Sequence, residues 1–402
     1  MSIRSTKFTI HTGLITLAAV AALATACTVP PPDVTPTAAP LPTAVLATIT
    51  PAPTTEPVKA PADLAVAFVA DGTLWLWRTA EDPIPLTKAD AFPAPTLSVD
   101  AAWLAFTRGG GAFVIGADGA NEQPITLDGV PGQLAWHPAQ STLYVTSSAE
   151  AATVLQRFDP TTGALSELAR FGADATLAIA PDGAHLAIVT PESLQLTDAD
   201  GVAVGAELTF PAVAVSDTQR WRPTATWIDD STARLFTITS ADGDAATVVW
   251  EIGLEAAAAE IARQPGAAFG GLLAPDGKRM LFTRADQTLG LWDLETGAAT
   301  QVLDAPGAAA LAWTPDSQAY VYTGVDPLQP FVIGVAPESV ARPAGIGPVL
   351  SLRWLSGDWL LYTSAAGAGE QLRLAEVGQS DGLIGVSAAG AIGYDGLSAT
   401  GP

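Results

Sequence analysis

The chain is poor in cysteine, histidine and basic residues, and each shortage excludes a class of protein. One cysteine among 402 residues rules out an internal disulfide and a metal cluster built on cysteines. Only 18 Lys and Arg stand against 41 Asp and Glu, which gives a formal net charge of −23. Such a surface repels phosphate backbones, so we expect no nucleic-acid partner. The chain is nevertheless 49% hydrophobic and only 15% charged, which indicates a folded protein with a large core.

The single cysteine ends an N-terminal segment built like a secretory signal. Arg4 and Lys7 are followed by an apolar run over 8–26 and by small residues directly before Cys27. The segment resembles the bacterial lipoprotein signal, in which the cysteine is lipidated and becomes the mature N-terminus. An uncleaved anchor helix, or ordinary secretion with a free cysteine, remains an alternative. We expect a signal peptide over 1–26, lipidation at Cys27, and a place in the cell envelope outside the cytoplasm.

A segment rich in Pro, Thr and Ala follows over 27–62 and has no sustained apolar period. This composition predicts a disordered, semi-extended tether. At about 3 Å per residue it spans several tens of ångströms, enough to hold an acidic domain clear of a membrane. The remaining residues, 63–402, form the predicted domain.

The domain repeats one pattern, which is an apolar strand, a turn and a second apolar strand ending in a large residue. "LLAPDGKRMLFTR" (272–284) is the clearest copy, and an eighth, partial copy places Phe68 at the start of the domain. Successive second strands are 38 to 48 residues apart. The large residues that close them are Phe68, Phe106, Val145, Ile188, Phe236, Phe282, Tyr322 and Tyr362.

Each copy is followed by two further strand-like runs, and outside the signal the one candidate helix is 253–263, which also fits a strand and a loop. Four short strands per repeat of about 40 residues predict an all-β fold, a β-propeller of four-stranded blades. Eight second strands favour eight blades over seven blades plus an outlying hairpin. The first copy begins at its second strand, so we expect a C-terminal segment near 384–387 to supply its missing inner strand.

The recurring turn has a physical reason at each position. Pro fixes φ, Asp accepts hydrogen bonds from turn amides, and Gly takes the positive-φ position. A large residue precedes the turn in most copies. We expect these side chains to wedge between adjacent blades and not to form a platform for a ligand. Four of them are tryptophans, Trp136, Trp227, Trp313 and Trp354.

"APDGKRMLF", "APDGAHLAI" and "TPDSQAYVY" resemble the WD40-like repeats of the TolB-type propeller families. The resemblance covers roughly 63–395, with three good copies and others degenerate at the turn. It implies a propeller scaffold, commonly extracytoplasmic, that binds proteins or small molecules. It implies no reaction, because the shared residues are structural.

The sequence contains no recognisable catalytic set. It has no Gly-x-Ser-x-Gly elbow and no phosphate-binding or dinucleotide motif. His137 and His185 are too isolated to predict a metal site. Acidic pairs occur at turns, where Asp satisfies backbone amides; a calcium site at "TDADG" or "SADGD" is a weaker alternative. These pairs are Asp198 with Asp200, Asp229 with Asp230, and Asp242 with Asp244. We therefore expect a non-enzymatic protein without catalytic residues, metal or cofactor.

One basic cluster stands out in this acidic domain, at Arg220, Trp221 and Arg222. It precedes a predicted inner strand, on the face that carries the loops between second and third strands. Arg and Trp are enriched at binding hot spots, so the cluster is a candidate site for a carboxylate or an aromatic group. In the alternative interpretation Trp221 packs into the blade and both arginines pair with neighbouring acids.

These observations predict a lipid-anchored, monomeric propeller outside the cytoplasm that binds an unidentified protein or small ligand. A propeller hydrolase or lyase with an acidic channel site is the competing function from another class. An assembly scaffold for outer-membrane barrels is a second alternative.

Overall fold

The computed structural model describes ten stretches of the chain, all after residue 62. They are 63–216, 220–240, 245–284, 286–303, 310–323, 331–335, 342–344, 349–355, 359–376 and 382–398. The predicted signal over 1–26, the predicted lipidation site Cys27 and the predicted tether over 27–62 lie outside them.

The described residues form 32 β-strands, and these strands make eight four-stranded antiparallel sheets, here called blades 1 to 8. Blade 1 contains β1 (Leu64–Ala70), β2 (Thr73–Arg78), β3 (Ile84–Lys88) and β32 (Gly393–Ser398). Blades 2 to 4 contain β4 (Thr96–Leu97), β5 (Trp103–Arg108), β6 (Gly111–Gly116), β7 (Gln123–Ile125), β8 (Val130–Trp136), β9 (Leu143–Ala149), β10 (Ala152–Asp159), β11 (Ala164–Gly172), β12 (Thr176–Ile179), β13 (His185–Val189), β14 (Ser193–Asp198) and β15 (Leu208–Thr209).

The other four blades follow in chain order. Blades 5 and 6 contain β16 (Thr224–Trp227), β17 (Thr232–Ile238), β18 (Ala246–Gly253), β19 (Ala259–Pro265), β20 (Ala268–Leu273), β21 (Arg279–Arg284), β22 (Leu289–Asp293) and β23 (Ala299–Leu303). Blades 7 and 8 contain β24 (Ala310–Trp313), β25 (Ala319–Thr323), β26 (Phe331–Val335), β27 (Arg342–Ala344), β28 (Val349–Trp354), β29 (Trp359–Ala366), β30 (Gly369–Glu376) and β31 (Gly382–Ala388).

The described part of the chain contains no helix, and therefore none long and apolar enough to span a membrane. The Ala-rich run 253–263 contains the last residue of β18, a loop and the first five residues of β19. The all-β prediction is thus confirmed. The fold is a β-propeller.

The turns of the repeat show why glycine recurs in them. Asp276 accepts the N–H two residues further on at 2.9 Å, and Gly277 has a φ of 69°. A Cβ added to Gly277 would lie 2.5 Å from Ile228 of the preceding blade. At Gly183, a Cβ would overlap the ring of His137, again from the preceding blade. Glycine therefore serves both the turn and the packing between blades.

The tryptophans before the turns wedge between blades, as the sequence predicts. In three of them the indole N–H donates to a carbonyl of the inner strand in the preceding blade, which fixes the two blades against each other. The three bonds that the structure describes run from Trp136 to Thr96 (3.2 Å), from Trp227 to Ala178 (3.1 Å) and from Trp313 to Leu272 (2.9 Å).

The ring closes through the C-terminal strand β32, which pairs antiparallel with β1 and becomes the inner strand of blade 1. Our prediction had placed this strand near 384–387, and that position is wrong. Those residues belong to β31, the fourth strand of blade 8, because that sheet must be completed before the chain can cross to blade 1. Side chains of β1 pack against blade 8 in one apolar cluster that includes Leu64, Val66, Phe68, Leu361 and Leu374.

Candidate functional site

The propeller has two faces, and one of them carries the links from the fourth strand of each blade to the first strand of the next. The hairpins between second and third strands lie on the same face, which we call the loop face. The repeated Asp-Gly turns lie on the opposite face, the turn face. Loops held by a rigid scaffold are where binding residues concentrate.

The structure separates the three residues of the predicted cluster, which lies on the link from β15 to β16. The ring of Trp221 packs edge-on against Phe236 at 5.2 Å and belongs to the core. Arg222 forms an ion pair with Asp174 at 2.6 Å. Arg220 is exposed, and its side chain makes no hydrogen bond or ion pair with any residue that the structure describes. Trp221 therefore packs into the blade and Arg222 pairs with an acid, as in the alternative interpretation. The guanidinium of Arg220 remains available to bind another molecule.

A second arginine, Arg284, also lacks a hydrogen bond or ion pair to a described residue. The sequence analysis did not single it out. It ends β21 on the loop face, and its guanidinium carbon lies 5.1 Å from the centre of the Phe282 ring. Its side chain, too, has no hydrogen bond or ion pair within the described stretches. Every other basic side chain whose surroundings are described has one; these are Arg78, Lys88, Arg108, Arg157, Arg170, Arg222, Arg234, Arg263, Lys278, Arg279, Arg353 and Arg373.

Arg284 lines a cavity of about 290 Å³ between blades 5 and 6. Gln264, Gly266 and Asp286 contribute to the same lining. Two hydrogen bonds from Thr288 and the nearby charge of Arg284 hold the pKa of Asp286 below its usual value. The Phe282 ring under Arg284 packs in the same core cluster as Trp221. The predicted basic segment and the cavity therefore flank one junction between blades.

A larger cavity, of about 420 Å³, lies where the closing strand meets blade 8. It is lined by β28, by the start of β32 and by the link between β3 and β4. We call it the seam cavity. Its lining residues are Phe92, Ala94, Ser351, Leu352, Arg353, Ile392, Gly393 and Tyr394.

One carboxylate ties together the three blades around this cavity. Asp395 of β32 forms an ion pair with Arg353 of blade 8 and accepts the N–H of Leu97 of blade 2 at 3.0 Å. It also accepts the N–H of Gly396 at 2.9 Å. The Asp395 side chain is only 11% exposed, whereas that of Arg353 is 52% exposed. Asp395 therefore has a structural role, since it holds the three blades together. Part of the Arg353 side chain faces solvent.

His137 and the described acidic pairs have local partners, whereas Nδ1 of His185 is buried without a hydrogen bond to a described residue. Nδ1 of His137 accepts the N–H of Ala139 at 3.0 Å, and burial lowers the pKa of His137 while Asp182 opposes the shift. Asp198 accepts the N–H of Asp200 at 3.0 Å. Asp200 itself pairs with Arg157 at 2.7 Å. Among the described residues no group of three or more His, Cys, Asp or Glu is placed to hold a metal ion. Asp242 and Asp244 lie outside those residues.

The comparisons with known proteins concern the fold alone. No family model matches the chain, and no curated protein sequence matches it. The resemblance to TolB-type repeats therefore depends on the repeat motifs alone.

Several solved structures are similar to this chain in fold. The β-propeller domain of the Trilobed protease from Pyrococcus furiosus is 10% identical over 73% of this chain and 94% of its own, with a TM-score of 0.50. A eukaryotic initiation factor is 10% identical over 83% and 98%, with a TM-score of 0.50. Oligogalacturonate lyase from Vibrio parahaemolyticus is 14% identical over 63% and 80%, with a TM-score of 0.45. The protease domain has an open velcro topology, whereas β32 closes the ring here.

Proposed function

We propose that this protein is a lipid-anchored propeller outside the cytoplasm that binds a partner on its loop face, as a binding or scaffolding module. The single observation that supports this function is the pair of arginines, Arg220 and Arg284. Both lie on the loop face, Arg220 on the link from blade 4 to blade 5 and Arg284 at the cavity between blades 5 and 6. Neither side chain has a hydrogen bond or an ion pair to a described residue.

The physical argument is one of charge. In a chain with a net charge of −23, carboxylates are abundant and a guanidinium readily finds one within the fold. Two guanidinium groups that form no ion pair with a described residue are available to a carboxylate of another molecule, which each can hold through two hydrogen bonds. Phe282 supports the Arg284 guanidinium from one side. Arginine is also among the residues that dominate binding energy at interfaces. We therefore infer a partner that presents an acidic group.

The anchor is tested by replacing Cys27 with Ser. We expect wild-type protein to incorporate labelled palmitate and to sediment with membranes, and the variant to do neither, because it lacks the thiol that carries the lipid. The measurement is membrane fractionation with mass analysis of the N-terminus. Unmodified Cys27 in the membrane fraction would instead favour an anchor helix, and release of wild-type protein into the medium would favour ordinary secretion.

The binding face is tested by capture of partners with the full chain in its native envelope. We expect Arg220→Ala with Arg284→Ala to reduce capture at least about fivefold, because each change removes a hot-spot cation. The matched control is Lys278→Ala, which removes an exposed cation from the turn face and should leave capture unchanged. Equal capture by the double variant would contradict the proposal. So would turnover in a panel of hydrolase and lyase substrates, which would favour the enzymatic alternative.

A further inference from the structure

We propose that the seam cavity binds a small, uncharged ligand that combines an aromatic ring with a hydrogen-bond-accepting oxygen. This site is separate from Arg220 and Arg284. It assigns a second ligand to the loop face, beyond the partner inferred above.

The size and lining of the cavity fit a small molecule. Its volume of about 420 Å³ falls within the range of about 300–1,000 Å³ that is common for ligand sites. The walls are mostly apolar, with a few polar groups from β28 and β32. This is the usual composition of a pocket in which apolar contacts give affinity and a few polar contacts give orientation.

The aromatic part of the ligand is inferred from Phe92 and Tyr394. Phe92 is 64% exposed at the edge of the cavity, so one side of its ring is available for stacking. The Tyr394 hydroxyl is already used, since it donates to the Leu361 carbonyl at 3.3 Å and accepts from Ser351 at 3.1 Å. Burial raises the pKa of Tyr394 to about 12, which keeps this wall uncharged at neutral pH. The Tyr394 ring therefore adds an apolar surface to the lining to which Phe92 also contributes.

The acceptor oxygen and the absence of charge are inferred from Arg353. Its guanidinium has five N–H donors, and Asp395 is the one partner that the described residues give it. The remaining donors can serve a carbonyl or hydroxyl oxygen. Because Asp395 already neutralises Arg353, an anionic ligand gains little here. An uncharged acceptor fits both conditions.

The test is calorimetric titration of benzamide into the full chain reconstituted in phospholipid nanodiscs, with empty nanodiscs as the blank. We expect a dissociation constant on the order of 1 mM, as for a fragment of this size. Benzoate should bind at least about threefold more weakly because of its charge, and cyclohexanecarboxamide more weakly because it lacks the aromatic ring.

Two variants locate the site. Phe92→Ala should raise the benzamide dissociation constant at least about threefold, and its exposed position makes misfolding a minor concern. Arg353→Lys, which keeps the charge opposite Asp395 but loses the planar donors, should weaken benzamide as well. Ile84→Ala is the matched control. Ile84 is an exposed apolar residue of β3 in blade 1 and lies outside the cavity. The proposal is overturned if benzamide produces no heat above the blank, if Phe92→Ala binds it like the wild type, or if benzoate binds equally well.

Discussion

Removal of residues 393–402 should abolish cooperative thermal unfolding or lower the unfolding temperature more than any single substitution. The deletion takes away β32 and leaves β1 as an unpaired inner edge. Val66 and Phe68, both fully buried, then lose their cover on the channel side. We expect a loss on the order of 5 kcal/mol, comparable with the total stability of many domains. Circular dichroism during heating measures the effect.

The control for this deletion is restoration by the missing strand itself. A synthetic peptide of residues 391–402 should raise the unfolding temperature of the truncated chain, and a scrambled peptide should not. The same peptide with Asp395→Ala should restore less, because it lacks the acceptor for the Leu97 N–H and the partner of Arg353. An unchanged transition in the truncated chain would mean that β32 does not hold the ring closed.

The sequence predicted the blades well because the repeat is a local signal. Pro, Asp and Gly act within four residues, and strand alternation within six, so each copy carries its own information. The closing strand was misplaced for the opposite reason. Gly382–Ala388 and Gly393–Ser398 are both short runs with glycine, and only pairing across the whole chain, with Tyr394 opposite Phe68, distinguishes them.

The candidate sites, too, depend on contacts between residues far apart in the sequence, which local patterns do not reveal. Arg220 stood out because arginine and tryptophan are rare neighbours in this acidic chain, but the sequence could not tell which member of its cluster remains available. Arg284 ends the clearest copy of the repeat, and its distinguishing property is that no described residue forms an ion pair with it, which depends on residues far along the chain. Phe92 and Arg353 of the seam cavity are 261 positions apart, so no local pattern joins them.

Replacing Trp313 with Ala should lower the free energy of unfolding by about 3–5 kcal/mol, as is usual when a buried tryptophan is removed. The side chain is 6% exposed, lies edge-on to Tyr320 at 5.2 Å and donates to the Leu272 carbonyl of the preceding blade at 2.9 Å. The variant leaves a cavity between blades 6 and 7 and a carbonyl without its donor. Urea denaturation followed by far-ultraviolet circular dichroism gives the value.

Two matched variants show whether the loss of stability in Trp313→Ala comes from the wedge with its hydrogen bond or only from the lost aromatic area. Trp313→Phe keeps most of the apolar volume and loses the hydrogen bond, so it should cost clearly less than the alanine change, with about 1 kcal/mol from the bond. Trp227→Ala removes the equivalent wedge between blades 4 and 5, which shares no partner with Trp313, so the two losses should add within about 0.5 kcal/mol. Phe92→Ala, an exposed aromatic, should cost close to nothing. If Trp313→Ala cost no more than Phe92→Ala, the tryptophans would not be what holds neighbouring blades together.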